Sequence, residues 1–322
     1  MLSRVAESIY WMSRYVERAE NIARFIDVQL QLSLDMGLEE LGQWDPLIST
    51  TGDHDAFYKQ YGSATQRNVI EFLAFDPDNP NSIVSCLRSA RENARTVRDS
   101  LSSHMWEEIN KFYLFVRGAD RDSVLQSPFE FFTEIRLAGY TLDGATQNTM
   151  SRGEAWHFHR LGELLERADK TSRILDVKYF LLLPKTEDVE TQFDTNQWAS
   201  LLKSASALEM YRKVQGRITP RQVADFLMLD PDFPRAMHFC LMRAEESLLA
   251  IIADAPGGAA RNKAEQRLGR LRAELDYGNI DEIIAQGLHE FIDRFQGALN
   301  EVGEAISEAF FAVHPLANTL TK

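Results

Sequence analysis

Two segments of this chain, 149 residues apart, read as the same helix. Trp11 to Val28 is WMSRYVERAENIARFIDV, and Arg160 to Val177 is RLGELLERADKTSRILDV, with Glu-Arg-Ala beginning at Glu17 and at Glu166. Arg24 matches Arg173 at that offset, and Asp27-Val28 matches Asp176-Val177. A second pair follows in the same order. FLAFDPDNPNSIVSCLRSARE starts at Phe72 and FLMLDPDFPRAMHFCLMRAEE at Phe226, each with Asp-Pro-Asp-x-Pro followed by Cys-Leu. Two ordered matches at nearly one offset point to a tandem duplication of a helical unit of about 150 residues. The expected architecture is an all-α helical bundle of two pseudo-symmetric repeats, 1–150 and 151–322, sharing one core.

The periodicity agrees. Val5, Ile9, Met12, Val16, Ala19, Ala23, Ile26 and Leu30 step by fours and threes, as do Phe158, Leu161, Leu165, Ala168, Ser172 and Leu175. The first stripe has Trp11, Tyr15, Ile22 and Phe25 on its far side. That pattern predicts a central helix over about 4–35, buried on more than one side and ending near Gly37. Thr219-Pro220-Arg221-Gln222 reads as a capping-box start, and Asn79-Pro80 as another cap followed by Pro. Ile83–Phe115 reads as one long helix, Lys263–Leu275 as an exposed one and Ile280–Phe311 as the last. Asp53–Tyr61 and Gly257-Gly258 read as loops, and His314 to Lys322 as a frayed tail.

The charges repeated with the helix are the candidate site. Neighbours on a helix point about 100° apart, so Glu17-Arg18 and Glu166-Arg167 do not pair within themselves. Across a pseudo-twofold, Glu17 would meet Arg167 and Glu166 would meet Arg18. Glu20 with Arg24 and Asp169 with Arg173 have the favourable i,i+4 order. Two readings stand side by side, structural ion pairs between central helices or an Arg-built site for a carboxylate or phosphate. The binding candidates are Trp11, Arg14, Glu17, Arg18, Arg24, Trp156, Glu166, Arg167 and Arg173. His157 and His159, with Trp11, Tyr15 and Trp156, could line a pocket, although aromatic core packing is the commoner outcome for such residues.

Other chemistry has little support. Glu154-x-x-His157 has di-iron spacing but no second copy in the first half, so no metal is expected. The Asp76–Pro80 and Asp230–Pro234 loops hold too few ligands for a cation and read as helix entries whose second Pro sits in the first helical turn. Cys86 and Cys240, the only cysteines, sit in apolar surroundings and read as core. Gly-rich phosphate loops, a nucleophile elbow and zincin spacing are absent from the sequence, so no cofactor is expected. With 35 basic and 48 acidic residues the net charge is −13, which disfavours nucleic acid and anionic membrane as partners. Apolar runs are far shorter than the ~20 residues of a membrane span, and the expected compartment is the cytoplasm.

Leu2-Ser3-Arg4-Val5-Ala6 and Tyr10-Trp11-Met12-Ser13-Arg14-Tyr15-Val16-Glu17-Arg18-Ala19-Glu20-Asn21 resemble the alpha-E family, a bacterial all-helical group named for its Glu-Arg motif. Trp156 through Asp169 and Leu229 through Arg235 fit the same pattern. Glu163 departs from it, since the family more often has Arg there, as at Arg14. The resemblance implies context more than chemistry. Such proteins are typically encoded with, or fused to, a circularly permuted ATP-grasp protein and a transglutaminase-like protein, some beside a proteasome-like peptidase. The expected role is a non-catalytic partner of an ATP-grasp amide or peptide ligase, holding an amino-acid or peptide ligand. The rivals are an enzyme of that pathway using Glu17 or Glu166 as base beside an Arg clamp, and a structural oligomer.

Overall fold

A computed structural model describes residues 1–36, 44–182, 192–253 and 259–312. Every regular element among them is helical. The first half contains α1 (Ser3–Met36), α2 (Asp45–Thr51), α3 (His54–Tyr61), α4 (Gln66–Ile70), α5 (Ile83–Thr96), α6 (Ser103–Arg117), α7 (Arg121–Gln126) and α8 (Pro128–Thr149). The second contains α9 (Glu154–Leu182), α10 (Gln192–Ser204), α11 (Leu208–Val214), α12 (Pro220–Leu229), α13 (Met237–Ala253), α14 (Ala259–Asp276), α15 (Ile280–Gln286) and α16 (Leu288–Ile306).

The two Glu-Arg helices, α1 and α9, pack on each other at the centre. Helices α5 and α8 also cover α1, while α13 and α16 cover α9. This double-sided burial is what the stripes and their apolar far sides imply: every residue from Ala19 to Leu30 is buried. Where α1 crosses α9 the backbones nearly touch. A Cβ on Gly162 would lie 2.3 Å from the Tyr10 carbonyl oxygen, so only glycine allows this approach.

Both duplicated Asp-Pro loops lead into a helix, α5 and α13. Their first carboxylates are used locally: Asp76 accepts the Asp78 N–H, and Asp230 accepts those of Asp232 and Phe233. The second Pro does not open the helix. Pro80 and Pro234 each stand three residues ahead of it, at Ile83 and Met237, and the N-cap of α5 is Ser82, not Asn79. The carbonyls of Pro80 and Pro234 instead accept the buried thiols of Cys86 and Cys240. Thr219 caps α12 as its motif predicts, accepting the Gln222 N–H.

Four other expectations need correction. Ile83–Phe115 is broken: the backbone leaves helical geometry at Val97, passes through a 3-10 turn at Arg98–Ser100, and restarts behind the Ser102 cap. Ile280–Phe311 is interrupted at Gly287, whose φ of +104° suits glycine, and closes in a π-turn at Ser307–Phe311. Asp53–Tyr61 is mostly helix, because Phe57 is fully buried edge-to-face against Phe72. Helix α14 is not simply exposed, since Ala264, Leu268, Leu271 and Leu275 bury one face between α13 and α16. Gly257-Gly258 and His314 to Lys322 lie outside the described residues.

Candidate functional site

The Glu-Arg pairs cross between α1 and α9. Arg18 donates Nε to Glu166 Oε1 at 2.7 Å and Nη2 to Oε2 at 3.1 Å. Arg167 donates Nε and Nη2 to Glu17 at 3.1 and 2.9 Å. Both are the two-pronged guanidinium–carboxylate geometry that fixes orientation as well as charge. The loop residue after the second Pro completes each cluster. Asn81 accepts Arg18 Nη1 at 2.7 Å, and Arg235, its counterpart, donates to Glu17 at 2.8 Å.

The two clusters then diverge. On one side Arg14, Arg18 and Lys170 converge on Glu166, which has no solvent exposure. On the other, Arg167 is shared between Glu17 and Glu163, and Arg235 between Glu17 and Glu20. The exchange of Arg14 for Glu163 at matching positions produces this asymmetry. Positive charge gathers beside Arg18, while around Arg167 guanidiniums and carboxylates alternate, with Arg160 on Glu163 and Arg24 on Glu20.

The remaining candidates are distributed around these clusters. Arg24 is buried against Glu20 and Asn21, and Arg173 is bound to Asp169. Trp11 is half-buried with the Arg14 guanidinium 5.1 Å from its ring. Trp156 is half-buried with Arg152 at 4.4 Å and Arg160 at 5.8 Å. Among the described residues no group of His, Cys, Asp and Glu could hold a metal ion.

A cavity of about 190 Å³ opens against the Arg167 cluster. Helices α1, α6, α8 and α9 and the loop at Pro234-Arg235 wall it. Of the nine sequence candidates only Glu17 and Arg167 reach it, and neither tryptophan lines it. His159 does, with Nδ1 2.5 Å from Ser13 Oγ, whereas His157 and Tyr15 of the same expected pocket do not. Sequence reasoning missed Ser13, Glu20, Asp143, Glu163 and Arg235 as cavity residues. For Arg235 a signal existed, because its counterpart Asn81 follows the same Pro. Asp143 lies outside every motif and carried none.

The sequence matches the Alpha-E family over residues 1–311, a family described as a predicted alpha-helical domain with a conserved ER motif. The chain belongs to the Alpha-E family. Uncharacterized proteins of Mycobacterium tuberculosis and Mycobacterium bovis are each 24% identical to it over 341 aligned positions. The alignments cover 96% of this chain but 37% of each relative, so this Alpha-E chain spans little more than a third of their length. No solved structure matches it.

Electrostatics explain how the Alpha-E motif behaves inside the protein. Burial alone would raise the Glu17 and Glu166 carboxyls. The guanidiniums outweigh it, Arg167 and Arg235 at Glu17 and Arg18 and Arg14 at Glu166, and hold both well below the ordinary range. Glu163 and Asp169 are lowered in the same way, against burial, by Arg167 and by Lys170 respectively. Burial depresses His159, only partly opposed by Glu163, which favours a neutral ring. Burial pushes both thiols up to about 12, as expected of inert core cysteines.

Acid should therefore weaken the fold in a defined window. A carboxyl whose folded pKa lies below its unfolded value, about 4.3 for Glu, stabilises fully above the latter. That contribution disappears as pH falls through the folded value. Urea midpoints should hold steady in this respect above roughly pH 5 and drop steeply below pH 4. Midpoints that stay level from pH 5 to pH 3 would show the crossed pairs to be solvent-screened.

None of the described helices is long and apolar enough to cross a membrane.

Proposed function

We propose that this chain is a non-catalytic helical partner of an ATP-grasp amide or peptide ligase system. It holds an amino-acid or peptide ligand in the cytoplasm, and a transglutaminase-like protein is a further partner. The observation that carries this reading is the cavity beside the Glu17–Arg167 pair. It joins an apolar wall to fixed charges, the makeup of a small-molecule site. The reading includes a duplicated organisation, 1–150 and 151–322 around one core, in which one ion-pair cluster carries a cavity built on a diverged repeat. The equivalent thiol bonds of Cys86 and Cys240 fit that organisation.

The enzymatic rival loses ground on one point. A general base works best with a pKa near the working pH. Glu17 and Glu166 are held far below it, with their oxygens occupied by Arg167 and Arg235 and by Arg14 and Arg18. Ion pairs that hold the two central helices together suit a scaffold better than a proton acceptor.

Co-purification with the cognate ATP-grasp protein, followed by calorimetry with and without ATP and amino acids, tests the reading. The expected result is a complex whose affinity depends on ligand. Failure to associate under every ligand condition would overturn it.

A further inference from the structure

The cavity's charge bookkeeping narrows what it can hold. Four carboxylates line it, Glu17, Glu20, Asp143 and Glu163, against two guanidiniums, Arg167 and Arg235. Each guanidinium already binds two of those carboxylates. Asp143, exposed at the rim, makes no ion pair and accepts only a 3.4 Å contact from Gln147. Behind the lining Arg160 also binds Glu163 and Arg24 binds Glu20, so among the described residues Asp143 is the one lining carboxylate without a cation, and an anion would meet only cations already engaged. A cation meets the opposite situation.

His159 shows where such a cation would sit. The residue is 8% exposed, and its Nε2 makes no hydrogen bond, with Glu163 Oε2 3.9 Å away. Its other nitrogen faces Ser13 Oγ, which also lies 3.0 Å from the Ile9 carbonyl. The serine has one proton. When it goes to Ile9, Nδ1 must be the donor to Ser13, and the neutral ring presents a lone pair at Nε2. Glu163 Oε2 accepts Arg160 Nη1 at 2.7 Å and keeps a second lone pair, so an imidazole nitrogen and a carboxylate oxygen stand about 4 Å apart with acceptor capacity left on each. A primary ammonium has three donors and can reach both.

The opposite wall suits a hydrocarbon chain. Helix α6 contributes only Met105 and Ile109 to the lining, and Met12 and Val16 extend that surface along α1. At about 190 Å³ the cavity exceeds the ~150 Å³ of an apolar cavity that admits benzene.

We infer that this cavity binds a primary alkylammonium, with His159 Nε2 and Glu163 taking the ammonium, Asp143 steering it at the rim and Met105 and Ile109 covering its chain. The inference rests on the ligand-holding reading above and gives it a substrate class, the amine component of an amide-forming reaction. A free alkylamine and a lysine side chain share this chemistry.

The test titrates the full chain with n-pentylamine near pH 7.5, where the amine is charged, with n-pentanoate as the control of opposite sign. Calorimetry gives affinity, and ¹⁵N NMR follows the His159 ring. Saturable amine binding, a shift of His159 Nε2 and no pentanoate binding are expected. Asp143→Asn, at an exposed position that folding does not need, should weaken the amine about fivefold. His159→Gln should weaken it further. No amine binding up to about 10 mM, equal binding of pentanoate, or undiminished binding by Asp143→Asn would each overturn the assignment. N-acetyl-lysine amide binding tighter than pentylamine would assign the site to a peptide's lysine, and the reverse order to a free amine. The titration needs no ligase. A chain that binds amine but no ligase loses the partner reading alone, and one that binds ligase but no amine loses this inference alone.

Discussion

Glu166→Leu is expected to cost the fold ~3–5 kcal/mol, read as a fall in the urea midpoint. Glu166 is fully buried, and its two oxygens receive Arg14, Arg18 and Lys170. Removing it leaves three cations facing one another with little solvent. The penalty comes from those stranded charges and not from any large net value of the pairs themselves. A double-mutant cycle with Arg18→Met should show coupling, since Arg18 makes two of the bonds. Recovery should be partial, because Arg14 and Lys170 keep their charges. The other cluster behaves alike. Were Glu17 and Arg167 an isolated couple, Glu17→Met with Arg167→Leu would restore most of the stability lost on breaking it. In the structure that double change also takes one partner each from Arg235 and Glu163, leaving Arg235 with Glu20 and Glu163 with Arg160, so it restores less. An unchanged midpoint for Glu166→Leu would mean that water screens the cluster after all.

Leu165→Ala is expected to cost ~2–5 kcal/mol, as truncations in a packed core do. Leu165 is 2% exposed, on the α9 stripe. Val16 holds the matching place on α1, but it is half-buried and lines the cavity. Val16→Ala should therefore cost only about 1 kcal/mol, since part of that side chain already faces open space. Thermal or urea unfolding of both variants separates them. Equal losses would mean that the cavity wall is packed as tightly as the core.

That contrast marks where sequence reading stops. The repeat predicts that Leu165 and Val16 share a helical position, and both do lie on the central stripes. It predicts equally that Glu17 meets Arg167 and Glu166 meets Arg18, and those bonds are present. These features were legible because a helix repeats its geometry every few residues, so spacing along the chain becomes direction in space. Helix ends were legible only where the cap residue stood out. Thr219 is followed by Pro220 and marks a start plainly, whereas Ser102 caps α6 without a Pro or Gly beside it and Val97 carries no breaker signal, so the break between Thr96 and Ser103 does not stand out along the chain.

The sequence by itself determined an all-helical chain, its two buried Glu-Arg helices and the crossing of their charges. Tertiary structure alone decided which cluster borders open space. Met105 and Ile109 of α6, Gly139 and Asp143 of α8 and Arg235 of a loop reach the Glu17 side from positions with no common spacing. A cavity exists where helices distant in the chain fail to fill the space between them. That depends on the volumes and crossing of all the walls together, which periodicity along any one helix does not record.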